Sequence, residues 1–107
     1  MVFSLNLPKG VYTPATSTRE VYIADTENNL VRKLNSNDVV SIVAGSGTRG
    51  YTGDNGPAKD APLNSPFAVA VSENGGIYIA DKENSCIRKV NTIGIIHTYA
   101  GTRISGD

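Results

Sequence analysis

The sequence predicts an all-β fold in which one four-stranded antiparallel unit occurs twice. Residues 21–45 are repeated at 77–101 with a constant offset of 56 residues, and 11 of the 25 paired positions are identical. Each copy contains short runs of β-branched and aromatic residues separated by a few turn residues, and no window has a convincing apolar period of 3.6 residues. Repeated four-stranded antiparallel units are typical of β-propeller blades, so we expect two blades.

The expected strands have the same order in both copies. They lie at 11–15, 21–25, 30–35 and 39–44 in the first copy, and at 67–71, 77–81, 86–91 and 95–100 in the second. Pro8 and Pro66 favour an extended entry into the first strand of each copy. Asn74-Gly75 predicts a tight hairpin turn. The run at 67–71 is apolar throughout, which is typical of a strand covered on both faces.

A connector rich in Gly and Pro separates the two copies. Residues 45–62, GSGTRGYTGDNGPAKDAP, contain too many chain breakers for a regular element. A connector of this length is usually functional or folds back on the surface. We therefore divide the chain into a first blade at 1–50, an inter-blade loop at 51–62, and a second blade with the start of a next loop at 63–107.

Composition limits the classes of function. The 107 residues carry ten Lys and Arg against ten Asp and Glu, with no basic run, which argues against binding of nucleic acid or an anionic membrane. Binding through a local basic patch is the alternative. Cys86 is the single cysteine and is expected to be a small strand residue rather than a reactive thiol. No signal peptide, membrane-spanning run or glycosylation acceptor is recognisable, which favours an intracellular location. A fragment of a longer secreted protein would look the same.

The second copy resembles an NHL repeat. Its residues 63–90 read LNSPFAVAVSENGGIYIADKENSCIRKV, and NHL repeats share a Pro, a Val-x-Val, an Asn-Gly, an Ile-Tyr-x-Ala-Asp and an Ile-Arg. Residues 50–66, GYTGDNGPAKDAPLNSP, also resemble the long inter-blade loop of one NHL subgroup. The first copy departs from the pattern at its opening, VYTPATSTRE. The resemblance implies a β-propeller, usually of six blades, of which this chain holds two.

Each copy contains an Asp and an Arg at matching positions. If the turn after Asp25 has four residues, Asp25 faces Leu30 and lies diagonal to Arg32 on the same sheet face, within reach of the Arg. Asp81 and Arg88 repeat the arrangement. We interpret both pairs as salt bridges or turn caps inside a blade, because a feature of every repeat usually serves the repeat. A pair of ligand-facing charges is the alternative.

Two further assignments concern the same hairpins. Asn28 and Asn84 are expected to accept the unusual backbone angles of the turns. The opposite sheet face carries an aromatic, a small and a β-branched residue in each copy, which predicts packing between blades. These residues are Tyr22, Ala24 and Val31 in the first copy, and Tyr78, Ala80 and Ile87 in the second.

Other motifs do not support a catalytic, cofactor or metal site. Residues 45–50 match G-x-G-x-x-G, but the residues that follow cannot begin the helix that a dinucleotide site needs. Asp54-Asn55-Gly56 lacks the ligand spacing of a calcium loop. His97 is the only histidine and aligns with Ser41, so we expect it at an exposed position on an outer strand. We predict no catalytic, cofactor-binding or metal-binding residues.

Two blades leave two blade faces without neighbours. We therefore expect a non-enzymatic scaffold that binds protein partners, either as part of a longer propeller or by self-assembly. Six blades from two-blade chains require a trimer with a head-to-tail interface. The alternative is part of a metal-dependent lyase or lactonase, for which Glu20, Asp25 and Asp81 are the available acidic residues.

Overall fold

A computed structural model describes residues 10–12 and 20–101. They form nine β-strands: β1 Gly10–Tyr12, β2 Val21–Asp25, β3 Leu30–Leu34, β4 Val40–Ala44, β5 Gly56–Pro57, β6 Pro66–Val71, β7 Ile77–Asp81, β8 Cys86–Val90 and β9 Ile95–Gly101. Single turns of 3₁₀ helix occupy Thr26–Asn28, Ala58–Asp60 and Lys82–Asn84. The predicted all-β fold is confirmed. Residues 13–15 of the first expected strand, and Pro8, lie outside the described part of the chain.

The first blade, formed by β1 to β4, is a four-stranded sheet in the order β1-β2-β3-β4, and all neighbours are antiparallel. Asp25 pairs with Leu30, which is the predicted hairpin register. The pairing between β3 and β4 shifts between Val31 and Arg32. The second blade has the equivalent shift between Ile87 and Arg88, so the repeat extends to this irregularity.

The second blade contains one strand more than expected. Its sheet has the order β5-β9-β8-β7-β6, in which β5 comes from the connector and pairs with Ile95 and Ile96 of β9. The expectation that the connector contains no regular element is therefore wrong at 56–60. Asn55 has a φ of 71° and donates its backbone N–H to the Ile96 carbonyl at 2.7 Å, which aligns the short strand on the sheet edge.

The core lies between the two blades. One face of the first blade supplies Tyr22, Val31 and Ala44, the opposite face of the second supplies Val69, Ile79, Val90 and Ile96, and the connector supplies Ala58, Ala61 and Leu63. All ten residues are at most 7% exposed. Each Ile or Leu buried in this way contributes about 1.5–3 kcal/mol. No described helix is long and apolar enough to cross a membrane.

Candidate functional site

The Asp–Arg pair of the first blade has the predicted diagonal geometry. The Arg32 Nε atom lies 2.8 Å from Oδ2 of Asp25, and the Asn28 side chain donates to the same oxygen at 2.9 Å. Asp25 is fully buried, whereas the Arg32 side chain is 17% exposed. A buried carboxylate has to be paired and hydrogen-bonded, and this one is. The geometry supports a structural role inside the hairpin.

The pair in the second blade is more deeply enclosed. The Arg88 Nη1 atom lies 3.6 Å from Oδ2 of Asp81, and both side chains are fully buried. The Asp81 carboxylate also accepts the backbone N–H of Asn64 at 2.7 Å and the side-chain amide of Asn84 at 2.8 Å. The Arg88 Nε atom has no hydrogen-bond partner in the structure. Asp81 thus joins the turn after β7 to the segment that precedes β6.

Arg88 also anchors the inter-blade connector. It donates to the carbonyls of Pro62 at 2.9 Å and Thr52 at 3.2 Å, and its Nη2 atom lies 2.8 Å from Oδ1 of Asp54. The Tyr51 ring stacks at 4.9 Å from the guanidinium carbon. The planar guanidinium can serve several oxygens at once, which a Lys ammonium does poorly.

The second oxygen of Asp54 extends this network to the outer strand. Thr98 donates its hydroxyl to Asp54 at 2.7 Å, and the hydroxyls of Thr98 and Tyr51 are hydrogen-bonded to each other. In the sequence, Asp54 is recognisable only as part of an incomplete calcium-loop pattern, and its ion pair with Arg88 is not predicted. The sequence contained no periodic signal that related an acidic loop residue to an Arg 34 positions later.

The pKa values of the two carboxyls shift in opposite directions. Burial raises the pKa of Asp81 above its ordinary value of 3.8, and its hydrogen bonds and Arg88 oppose the shift only in part. For Asp54, burial also acts to raise the pKa, but hydrogen bonds from Thr98 and Arg88 and the Arg88 charge outweigh it and lower the pKa below 3.8. Burial raises the pKa of the Cys86 thiol to about 11, so its reactive thiolate form is scarce at neutral pH.

The assignment of the turn asparagines was wrong by one residue. The left-handed backbone conformation occurs at Asn29, with a φ of 59°, and at Ser85, with a φ of 57°. Asn28 and Asn84 lie inside the 3₁₀ turns and use their side chains to hold Asp25 and Asp81. Asn29 instead has a long-range role, because its side-chain oxygen accepts the backbone N–H of Ser65 at 2.9 Å.

The predicted packing face is buried in the first blade only. Tyr22, Ala24 and Val31 are at most 6% exposed and face the second blade. Their counterparts Tyr78, Ala80 and Ile87 are half-buried. On the same side, Phe67 is 45% and Tyr99 is 58% exposed, and Ala68 and Ala70 are exposed as well, so the strand at 67–71 is not covered on both faces as expected.

Two adjoining apolar cavities lie on this open face. One of about 410 Å³ is lined by residues of β6 to β9 and the turn after β7, among them Ala80, Lys82, Ser85, Cys86, Ile87 and Gly101. The other, of about 210 Å³, shares Ala80 and Ile87 with it and extends to Tyr78. We define the open face as Phe67, Ala68, Ala70, Tyr78, Ala80, Ile87 and Tyr99. Both cavities are lined mainly by apolar atoms.

The residues considered for metal or nucleotide chemistry are not brought together. Within 10–12 and 20–101, no group of three His, Cys, Asp or Glu side chains has the geometry to hold a metal ion. His97 lies on β9 but is half-buried rather than exposed. The carboxylate of Glu20 lies 3.2 Å from the Lys33 ammonium. The G-x-G-x-x-G segment at 45–50 is followed by irregular chain, and the Gly45 N–H donates to the Ala58 carbonyl at 2.9 Å.

Solved structures with the same fold include two propeller-like chains. A virginiamycin B lyase from Staphylococcus aureus superposes with a TM-score of 0.60 at 15% identity, over 87% of this chain and 26% of that one. A protein of unknown function from Bacteroides thetaiotaomicron superposes with a TM-score of 0.67 at 25% identity, over 79% of this chain and 22% of that one. Because the identity to the lyase is only 15%, the superposition shows a shared fold and nothing about a shared activity.

Sequence relatives are much longer than this chain. Teneurin-1 of Gallus gallus is 33% identical over 100 residues, which is 88% of this chain and 4% of that protein. NHL repeat-containing protein 2 of Bos taurus is 39% identical over 74 residues, which is 67% of this chain and 10% of that protein. The family model described as the teneurin NHL domain matches residues 9–105. The repeat, the two antiparallel blades and this match together establish that the chain belongs to the teneurin NHL domain family, and it is an NHL-repeat β-propeller segment.

Proposed function

We propose that this chain is a non-enzymatic interaction module that assembles blade to blade with further copies of itself. The observation that carries the proposal is the difference between two equivalent faces. Tyr22, Ala24 and Val31 are buried against the second blade, whereas Tyr78, Ala80 and Ile87 occupy the same strand positions on the open face. A surface that is buried in one repeat and open in the next is suited to receive another blade.

The complementary surface lies on the first blade. Val69 of the second blade is 7% exposed in the interface between the blades, and Val11, its counterpart in the strand pairing, is 67% exposed. Ile42 of β4 lies on the same side of the sheet and is 38% exposed. A second copy that placed this side against the open face would reproduce the interface already present within one chain. The contact is head to tail and therefore closes only as a ring or continues as a filament.

The expected closed form is a trimer. Members of the NHL family commonly have six blades, and three chains of two blades supply that number. In a longer protein the same surfaces would instead be covered by its own neighbouring blades. The balance of ten basic and ten acidic residues favours protein over nucleic acid as the partner.

Light scattering coupled to size-exclusion chromatography tests the assembly. We expect the mass of three chains for the wild type and of one chain for Ile87→Asp, because the variant places a charge in the centre of the open face. Ile93→Asp is the matched control, since Ile93 is 80% exposed in the turn between β8 and β9 and lies outside both blade faces. A wild type that is monomeric at every concentration would overturn the proposal.

The alternative is a share in a metal-dependent lyase or lactonase. Against it, Asp25 and Asp81 are each engaged by an Arg, and Glu20 is engaged by Lys33. Elemental analysis of the purified protein separates the two functions. Zinc or calcium that stays bound at a whole-number ratio would favour the enzyme, and its absence after mild purification would favour the interaction module.

A further inference from the structure

A short segment before β6 is docked on the first blade. Leu63 is fully buried in the cluster that contains Val31 and Ala44. The Ser65 N–H donates to the side chain of Asn29 at 2.9 Å, and the Thr26 hydroxyl donates to the Pro66 carbonyl at 2.8 Å. The segment Leu63-Asn64-Ser65-Pro66 thus occupies its place through one apolar side chain and two hydrogen bonds to the 3₁₀ turn and its C-cap.

The second blade has the equivalent place, and no segment within residues 10–12 and 20–101 occupies it. At an offset of 56 residues, the counterparts of Thr26, Asn29 and Val31 are Lys82, Ser85 and Ile87. These three counterparts line the 410 Å³ cavity of the open face. Gly101, the counterpart of Gly45, lines it too. A Cβ at Gly101 would lie 2.7 Å from the Ser85 carbonyl, so the floor of the cavity requires glycine as it does in the first blade.

The segment that fills the first site has a counterpart in the sequence. Leu5-Asn6-Leu7-Pro8 repeats Leu63-Asn64-Ser65-Pro66 except at the third position. Pro66 begins β6, and Pro8 stands two residues before β1. The chain therefore contains two Leu-Asn-x-Pro segments and two equivalent docking places, of which the described residues fill the one on the first blade.

We propose that the cavity of the open face is a binding site for a Leu-Asn-x-Pro segment, and that residues 5–8 of a second copy occupy it. The proposal rests on the blade-to-blade assembly and names the contact that specifies its direction. Leu5 takes the apolar position next to Ile87, as Leu63 does next to Val31. The Ser85 hydroxyl accepts the Leu7 N–H in place of Asn29, and the Lys82 ammonium donates to the Pro8 carbonyl in place of Thr26.

The residue at the third position of the segment should affect the binding affinity of the peptide by a predictable amount. Ser65 has a φ of 57°, a left-handed conformation that a Leu side chain disfavours. A peptide with Leu7→Gly should therefore bind about fivefold more tightly than the natural one, a ratio that corresponds to about 1 kcal/mol. A peptide with Leu5→Asp should not bind, because it places a charge in the apolar cavity.

Fluorescence anisotropy with a labelled peptide of residues 4–10, SLNLPKG, tests the site. The receptor is the full chain with Leu5→Asp, so that its own segment does not compete. We expect saturable binding, at least a tenfold loss when Ile87→Asp or Ala80→Arg is added, and no loss when Ile93→Asp is added. Circular dichroism confirms that each receptor is folded, and two cavity variants on different strands keep the test valid if one of them unfolds.

The outcomes for this site and for the assembly differ. A Leu5→Asp chain that stays trimeric and does not bind the peptide overturns the docking site and leaves the assembly intact. A wild-type monomer whose Leu5→Asp variant binds the peptide supports the cavity as a Leu-Asn-x-Pro binding site, and it overturns both the assembly and the occupation of the cavity by a second copy. Peptide binding that the cavity variants leave unchanged overturns the site.

Discussion

Replacement of Arg88 by Met tests whether one buried cation holds the connector to the second blade. Met keeps most of the side-chain length and removes the charge and all five donors. The fully buried Asp81 then loses its cationic partner, and the carbonyls of Pro62 and Thr52 each lose a donor. Asp54 keeps its Thr98 hydrogen bond but loses a 2.8 Å ion pair.

The expected loss is large for a chain of this size. Removal of one partner of a buried ion pair costs about 3–5 kcal/mol, because it leaves the other charge uncompensated. Domains of this size have about 5–15 kcal/mol of unfolding free energy in total. Arg32→Met is the matched control, because Arg32 has the same repeat position but a side chain that is 17% exposed and one carboxylate partner among the described residues. We expect about 1–2 kcal/mol for that variant.

Urea denaturation followed by far-UV circular dichroism measures both losses. With a slope of about 2 kcal/mol per M, the Arg88 variant should lower the midpoint by about 2 M and the Arg32 variant by less than about 1 M. The double variant Arg88→Met/Asp54→Asn should lose less unfolding free energy than the sum of the losses of Arg88→Met and Asp54→Asn, because these two side chains share one ion pair. Equal losses for Arg88→Met and Arg32→Met would refute the argument that the connector network makes the second pair stronger.

Four other tests follow from the geometry. In urea denaturation, Gly45→Ala should lower the unfolding free energy by at least about 2 kcal/mol and Gly47→Ala by about 1 kcal/mol. Both glycines have a positive φ, but only a Cβ at Gly45 would clash with a carbonyl oxygen, that of Asn29. Equal losses for the two variants would contradict this. Asp54 has a lowered folded-state pKa, so the stability advantage of the wild type over Asp54→Asn should be full above pH 3.8 and fall as the pH drops below it. Asp81 has a raised pKa, so the wild type should lose stability relative to Asp81→Asn as the pH rises from 3.8 through that pKa, and a difference constant with pH would contradict either prediction. Cys86, with a pKa of about 11 against the ordinary 9.0, should react with a thiol reagent about 100-fold more slowly in folded protein than in urea, and equal rates would show that the thiol is not buried.

Local features were predictable because they depend on a few neighbouring residues. Successive residues of β2 point to opposite faces of the sheet, so Tyr22 and Ala24 share one face and Ile23 lies on the other. A four-residue turn then places Arg32 diagonal to Asp25. These relations involve chain separations of seven residues or fewer. The exact place of the left-handed residue was harder, because a 3₁₀ turn moves it from Asn28 to Asn29 without any change in the hairpin register.

The connector could not be predicted from the same rules. Its attachment depends on the contact of Asp54 with Arg88 and on the pairing of Gly56 with Ile96, at separations of 34 and 40 residues. Residues of this kind carry turn signals but no periodicity, so composition indicates a loop and does not indicate where the loop packs. The two-residue strand β5 is below the length at which a strand pattern can be recognised.

Identical residues of the two repeats differ in environment because different segments cover them. Tyr22 is 6% exposed and Tyr78 is half-buried, although both occupy the second position of pentapeptides that differ only in their first residue, Val21 or Ile77. Arg88 is fully buried and Arg32 is not, because residues 51–62 pack on the second blade alone at this position. The repeat therefore determines each hairpin, and the neighbour of each blade determines its burial. The unequal exposure of matching residues therefore shows which blade faces are covered by other described residues. The open face of the second blade and the outer side of the first blade, with Val11 and Ile42, are the two faces that they leave exposed.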